Sequence, residues 1–164
     1  MHAYVRNLEA KHEPGTVFNY NTAETRIIGN LLRAAIGNNL SYYLMEKIWH
    51  PYGMTSDANW ILTGGGGESG GCCISATLRD YAKIGLFALG DGTLADGSQV
   101  LPTGWMAEST TPSKAQAGYG YFWWLVGDGV YQAAGIHGQG IRIDTNNNVV
   151  KAPASQRGHW ALAK

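Results

Sequence analysis

Apolar residues recur at helical spacing in a first segment of the chain. The stripe runs from Ile27 to Ile36, and Asn21 and Glu24 form a capping-box pattern just before it. Gly37 follows the last apolar residue, where a left-handed glycine commonly ends a helix. We therefore predict a helix between Asn21 and Gly37.

Two further helices are predicted downstream. One runs from about Leu40 to His50, where Pro51 ends it because proline cannot continue a helix. The other keeps helical period from Leu78 to Leu89, with Ser75 as its predicted N-cap and Gly90 as its stop. These three helices account for most of the periodic apolar residues in the first half of the chain.

The last third of the chain changes to strand patterning. Residues 119–126 are aromatic and β-branched, and shorter strands are predicted at 130–134, at 140–143 and from Val149. We expect the final strand to break at Pro153 and the tail to remain polar. Helices followed by an antiparallel sheet predict a single α+β domain over residues 1–164.

Charge and composition exclude some classes of function. The chain has 12 basic and 12 acidic residues, so its formal net charge is zero, and 45% of its residues are hydrophobic. This composition is typical of a globular protein. It provides no excess of positive charge that would attract nucleic acid or an anionic membrane surface. The sequence shows neither a membrane-spanning apolar run nor a signal-peptide run, and it leaves the localisation open.

The two cysteines, Cys72 and Cys73, are neighbours in the sequence. Disulfide geometry prefers Cα atoms about 5.5 Å apart, so adjacent cysteines rarely bridge. We expect two small, buried, unbridged residues. No metal-site spacing surrounds them, and no cofactor is predicted.

Several motifs, taken together and in order, resemble one family. Residues 14–20 read P-G-T-V-F-N-Y, residues 49–54 read W-H-P-Y-G-M, and Gly70-Gly71 precedes S-A-T-L-R-D at residues 75–80. These stretches resemble the class C-type β-lactamases and their esterase, peptidase and amidase relatives. Residues 135–139, G-I-H-G-Q, resemble the 6-aminohexanoate-dimer hydrolases of the same superfamily.

The resemblance covers residues 8–150 and implies a partial β-lactamase/transpeptidase-like fold. The expected fold lacks the family's N-terminal strands, its nucleophile helix and its C-terminal helix. Residues 151–164 depart from the family pattern and read as an atypical tail.

The resemblance also implies roles for particular residues. Tyr20 stands at the position of the family's general base, and Thr22 stands where many relatives have a substrate-binding asparagine. Gly135 and Ile136 match the stretch that supplies the oxyanion hole, with the backbone N–H of Ile136 as the donor. Helix capping remains the alternative for the Asn21-Thr22 pair.

Two other candidates near this stretch have a structural alternative. His137 is a candidate for substrate binding, although a histidine near a strand end is more often a hydrogen-bonded structural residue. Tyr121 belongs to an aromatic cluster at residues 119–124 that could line an apolar acyl pocket. Because side chains alternate along a strand, at least half of this cluster should serve packing.

The nucleophile of the family is absent from the sequence. Relatives carry Ser-x-x-Lys, with both side chains on one helix face, and none of the eight serines here has a lysine three residues later. The resemblance therefore implies a C-terminal part of a serine amidase or esterase that is inactive alone. The family's Lys-Thr-Gly lysine is also missing, which disfavours β-lactam hydrolysis.

Alternative functions remain open at this point. The chain could be a non-catalytic ligand-binding module, a half-enzyme complemented by a second chain, or a D-aminopeptidase or penicillin-recognising protein. In each case the expected ligand is a small amide, ester or peptide-like molecule. Unpaired strand edges also predict self-association.

Overall fold

A computed structural model of the chain describes residues 6–153 and 160–163. Its first helix, α1, spans Thr22–Ile36. The side chain of Asn21 accepts a hydrogen bond from the Ala23 N–H at 2.9 Å, and Gly37 adopts a left-handed φ of 64°. The predicted cap and stop of this helix are both confirmed.

The next helices follow the predicted order with one change of cap. α2 spans Leu40–Leu44 and continues as a π-helical segment over Met45–Trp49, just before Pro51. α3 spans Leu78–Leu89, and a short α4 spans Trp105–Ser109.

The predicted N-cap at Ser75 is wrong. Ser75 lies in the two-residue strand β2 and pairs there with Asn59 of β1. The cap of α3 is Thr77, whose hydroxyl accepts a hydrogen bond from the Asp80 N–H at 3.2 Å.

Two antiparallel sheets complete the fold and confirm the α+β class. The small sheet pairs β1 with β2, and the large sheet has the order β3-β4-β5-β6-β7, with β3 and β7 at its edges. The strands are β1 Asn59–Trp60, β2 Ile74–Ser75, β3 Trp124–Gly127, β4 Val130–Ala134, β5 Gly140–Asp144, β6 Val149–Pro153 and β7 Trp160–Ala163.

The strand predicted at residues 119–126 is shorter than expected. β3 begins only at Trp124, because Phe122 takes a left-handed φ of 64° and turns the chain back on itself. Tyr119 then faces Trp124 across an isolated bridge. The prediction failed because a left-handed turn at a phenylalanine has no sequence signal.

The predicted end of the strand at Pro153 is confirmed, because β6 spans Val149–Pro153. β6 includes Pro153, which pairs with Trp160 of β7, a strand that the sequence did not predict. The pairing of β6 with β5 ends at Lys151, so Pro153 needs a partner on one side only. Proline is tolerated at such a strand end, where one ladder hydrogen bond is not required.

The core lies where α3 packs across the large sheet. Ile143 and Val150 are fully buried there, and Gly85 of α3 lies directly against Val150 and Ile141. A side chain at position 85 would therefore collide with the sheet. The core cluster consists of Ala88, Met106, Tyr131, Ile141, Ile143 and Val150.

The expectation of buried, unbridged cysteines is wrong on both counts. Cys72 and Cys73 are exposed and joined by a disulfide. They follow the half-buried Gly70-Gly71 loop. The loop is held by the Trp60 indole, whose Nε1–H donates to the Ser69 carbonyl at 2.9 Å and to the Cys72 carbonyl at 3.1 Å.

Candidate active-site cleft

A cleft of about 800 Å³ opens between the start of α1, the Gly70-Gly71 loop and the large sheet. Its wall combines aromatic, apolar and glycine residues with a few polar groups. Its lining includes Phe18, Tyr20, Thr22, Glu24, Lys114, Tyr119, Phe122, Trp124, Ala133 and Ala134.

Tyr20 lies at the mouth of this cleft, directly before the cap of α1. Its side chain is 59% exposed, and its ring lies 5.3 Å from that of Trp124 and 5.9 Å from that of Tyr119, between centroids. Phe18 contacts the same two rings, at 6.4 and 5.2 Å. The four rings hold Tyr20 in place, while its hydroxyl donates to no residue that the structure describes.

Thr22 joins Tyr20 in the cleft as the first residue of α1. Its exposed side chain lies so close to the glycine loop that a Cβ on Gly71 would come within 2.7 Å of the Thr22 Cγ2. Two turns further along α1, a Cβ on Gly29 would come within 2.6 Å of the Gly70 Cα. The glycines therefore let the loop and helix approach to backbone contact and form one wall of the cleft.

A partly buried ion pair fixes this wall, since the side chain of Glu68 is 2% exposed and that of Arg33 is 36% exposed. The Arg33 guanidinium donates to the carboxylate of Glu68 at 2.8 Å, and the Ser41 hydroxyl donates to the same carboxylate at 2.6 Å. Burial by itself would raise the pKa of Glu68, but the hydrogen bonds from Ser41 and the backbone outweigh it and hold this pKa below its usual range. The charged carboxylate thereby ties the loop to α1 and α2.

The predicted oxyanion-hole residues lie on the turn between β4 and β5. β4 ends at the cleft with Ala133 and Ala134, and the chain then passes into Gly135 and Ile136. Gly135 donates its N–H to the Gln139 carbonyl at 2.8 Å. The Ile136 side chain is 91% exposed, and its N–H donates to no described residue.

His137 is exposed on the same turn. Its N–H donates to the Gln139 side chain at 3.1 Å. Neither His137, Gly135 nor Ile136 is part of the cleft wall around Tyr20 and Thr22. Gly135 instead lines a neighbouring cavity of about 410 Å³, together with Tyr81 of α3.

Tyr121 points away from the Tyr20 cluster. Its ring packs against Trp105 at 6.1 Å, and its hydroxyl donates to the Glu108 carboxylate at 3.4 Å. The left-handed backbone at Phe122 reverses the chain, so Phe122 lines the cleft in its place. The structure thus brings together Tyr20 and Thr22, but not Tyr121, in this cleft.

Sequence reasoning missed some residues of the cleft. Phe18 lies two residues before Tyr20 in an extended segment, so strand alternation could have placed it on the same side. Lys114 lies in a loop and belongs to no motif, so no sequence signal pointed to it. Tyr119, by contrast, belongs to the predicted aromatic pocket, and burial raises its pKa, with a smaller contribution from Tyr20.

The described residues show neither a metal-binding cluster nor a membrane-spanning helix. Across residues 6–153 and 160–163, no three His, Cys, Asp or Glu side chains cluster closely enough to hold a metal ion. Within the same residues, no helix has the length and apolar character of a membrane span.

The fold places the chain in a class of protein, the β-lactamase-like superfamily. The Beta-lactamase family profile matches residues 1–163, and the chain belongs to this family. A search of curated proteins finds no match.

Two solved structures resemble the chain. One, with a TM-score of 0.80 and 25% identity, is provisionally assigned as a 6-aminohexanoate-dimer hydrolase from Bacillus anthracis, and the match covers 88% of this chain and 39% of that one. The other, with a TM-score of 0.76 and 17% identity, is provisionally assigned as a β-lactamase from Bacteroides dorei DSM 17855, with 95% and 56% covered. The chain spans less than two thirds of either, which confirms a partial β-lactamase-like fold.

Proposed function

We propose that this chain supplies the general base and the oxyanion-hole donor of a serine amidase or esterase that works through an acyl-serine intermediate. The observation that carries the proposal is the placement of Tyr20. Its exposed hydroxyl stands at the mouth of a cleft whose wall includes Thr22, the second residue that the family resemblance assigns to the site. Likeness to the provisionally assigned 6-aminohexanoate-dimer hydrolase favours a linear amide over a β-lactam.

The attacking serine and its lysine come from a segment outside these 164 residues. The sequence contains no Ser-x-x-Lys. The apolar stripe of α1 supports this, because it is exposed beside the cleft. Its exposed side chains are those of Ile27, Ile28, Leu31 and Leu32. An exposed apolar stripe on an amphipathic helix normally packs against another element.

In the proposed reaction, Tyr20 first accepts the proton of the serine and then gives it to the leaving group. The serine oxygen attacks the carbonyl carbon of the substrate while its proton passes to the Tyr20 oxygen. The carbonyl oxygen becomes an oxyanion and accepts a hydrogen bond from the Ile136 N–H. The C–N or C–O bond then breaks, the leaving group takes the proton from Tyr20, and water releases the acid from the serine ester.

The oxyanion role of Ile136 has a specific support. Of the four N–H groups at residues 135–138, those of Gly135, His137 and Gly138 donate to described residues of the same turn, whereas that of Ile136 does not. A pre-oriented donor of this kind is worth about 3 kcal/mol in the transition state.

A ligand-binding module without turnover is the second candidate. The aromatic cluster of Phe18, Tyr20, Tyr119 and Trp124 favours it, since such a surface binds an apolar ligand without any nucleophile. The two candidates differ in whether a protein that also contains Ser-x-x-Lys forms an acyl-enzyme.

The test compares this chain with the same chain joined to, or mixed with, a family segment carrying Ser-x-x-Lys. We expect no turnover of p-nitrophenyl butyrate by the chain alone and measurable turnover by the assembled protein. Tyr20→Phe should then lower turnover by about 10²- to 10⁴-fold, the usual contribution of a positioned base. Tyr43→Phe, outside the cleft, is the matched control and should leave it unchanged.

Two results would contradict the enzyme proposal. One is an assembled protein that binds the ester but never hydrolyses it, which would favour the binding module. The other is full turnover in Tyr20→Phe, which would remove the base role.

A further inference from the structure

Lys114 gives the cleft a cation that the family motifs do not predict. The strand position where relatives carry a lysine is occupied here by Ala133-Ala134-Gly135. Lys114 lies on a different element, the loop before the aromatic cluster, yet it lines the same cleft as Tyr20. Among the described residues that line the cleft, Lys114 and Glu24 are the charged ones.

The loop that carries Lys114 is anchored to the aromatic cluster. The Ser113 N–H donates to the Tyr119 carbonyl at 2.9 Å, and the Ser113 hydroxyl donates to the Gln116 carbonyl at 2.9 Å. The Tyr119 N–H donates a hydrogen bond to the Gln116 carbonyl at 3.1 Å, and the Tyr119 ring contacts that of Tyr20. Lys114 therefore projects from a hydrogen-bonded turn that is fixed next to the proposed base.

The charge of Lys114 is not used within the part of the chain that the structure describes. There it forms neither an ion pair nor a hydrogen bond, whereas Arg33 is paired with Glu68. A lysine ammonium on its flexible four-carbon stem can reach over several ångströms to meet an anionic group. Lys114 is exposed, so a contact with an anion is partly screened by solvent although the cleft wall is largely aromatic and apolar.

We propose that the Lys114 ammonium binds a carboxylate of the substrate, so that the cleft selects linear amides or esters with a free carboxylate group. This inference rests on the proposed function only in taking the cleft as the substrate site. Glu24, on the first turn of α1, repels a carboxylate placed at that end of the cleft. Of the two charged residues that line the cleft, Lys114 is therefore the one that can attract a carboxylate.

The test uses the 164-residue chain and two matched probes, N-acetyl-6-aminohexanoate and its uncharged primary amide. Binding is measured by calorimetry or NMR titration at low salt, and needs no nucleophile. We expect the carboxylate probe to bind more tightly than the amide. Lys114→Met should weaken the carboxylate about three- to tenfold and leave the amide unchanged, the range for a partly screened, charge-assisted contact.

Control variants separate a specific contact from a general charge effect. Lys151→Met removes the same charge from β6, outside the cleft, and should leave both affinities unchanged. Glu24→Gln should strengthen carboxylate binding or leave it unchanged, and high salt should reduce the preference for the carboxylate.

The proposal is overturned if the two probes bind equally, if neither binds, or if Lys114→Met and Lys151→Met have the same effect. None of these results depends on the serine, because no bond is made or broken. A protein that forms the acyl-enzyme but shows no Lys114-dependent preference for the carboxylate probe would disprove the carboxylate subsite and leave the proposed function intact.

Discussion

The Tyr20 and Trp124 rings lie 5.3 Å apart, with their planes 32° from parallel. Tyr20 precedes α1, whereas Trp124 begins β3, so this contact joins the helical layer to the sheet at the mouth of the cleft. The orientation of the proposed base therefore depends on a residue more than a hundred positions away in the sequence.

Trp124→Ala should impair catalysis in the assembled protein by releasing the Tyr20 ring. We expect kcat to fall about ten- to hundredfold, because small misplacements of a catalytic group have effects of this size. Trp124→Phe keeps an aromatic face and should retain most of the activity. An equal loss in both variants would indicate that Trp124 acts by some means other than supporting the Tyr20 ring.

Gly29→Ala should destabilise the protein although alanine is the better helix former. Helix propensity alone would favour alanine by about 1 kcal/mol. The added methyl would lie 2.6 Å from the Gly70 Cα, however, and separating α1 from the glycine loop should cost about 1–3 kcal/mol in the free energy of unfolding. Gly64→Ala, in open space, is the control for urea denaturation, and a stabilised Gly29→Ala would contradict the close approach.

Asp80→Asn should be strongly destabilising. The Asp80 carboxylate is fully buried and accepts hydrogen bonds from the Thr55 N–H and hydroxyl, the Ser56 N–H and the Thr77 hydroxyl. Asparagine has one acceptor oxygen, so two of these donors would lose their partner, at a cost of about 2–3 kcal/mol. Asp96→Asn, on an exposed turn, should leave the unfolding midpoint unchanged, and an equal shift in both variants would contradict this account.

The same carboxylate should make stability depend on acid pH. Burial alone would raise the pKa of Asp80, but the hydrogen bonds from Thr55, Thr77 and Ser56 outweigh it and hold this pKa below its usual range. A folded-state pKa below the unfolded one contributes stability above pH about 4, and this contribution is lost as the pH falls through the folded value. Unfolding midpoints measured from pH 7 to pH 3 should fall less steeply in Asp80→Asn than in the wild type.

Local signals in the sequence predicted the parts of the fold that depend on neighbouring residues. The N-cap at Asn21 and the glycine at position 37 predicted the limits of α1 correctly, because capping acts within one helical turn. The α+β order followed from the change in periodicity, and the family motifs placed Tyr20 and Thr22 together.

Predictions failed where contacts distant in the sequence decide the local structure. β3 starts late because the Tyr121 N–H donates to the Ser109 carbonyl at 2.7 Å, which supports the turn at Phe122. β7 was not predicted, because its pairing with β6 is not visible in the local pattern of the tail. Lys114 gave no signal in the sequence, since only the folded chain brings this loop lysine into the cleft that Tyr20 also lines.

Labelling with a fluorophosphonate probe tests the central claim most directly. The chain alone and the chain assembled with a Ser-x-x-Lys segment would be treated side by side and analysed by intact mass and peptide mapping. We predict an adduct only in the assembled protein, on the added serine and slowed by Tyr20→Phe. An adduct on a serine of the 164-residue chain itself would contradict the claim that its nucleophile comes from outside.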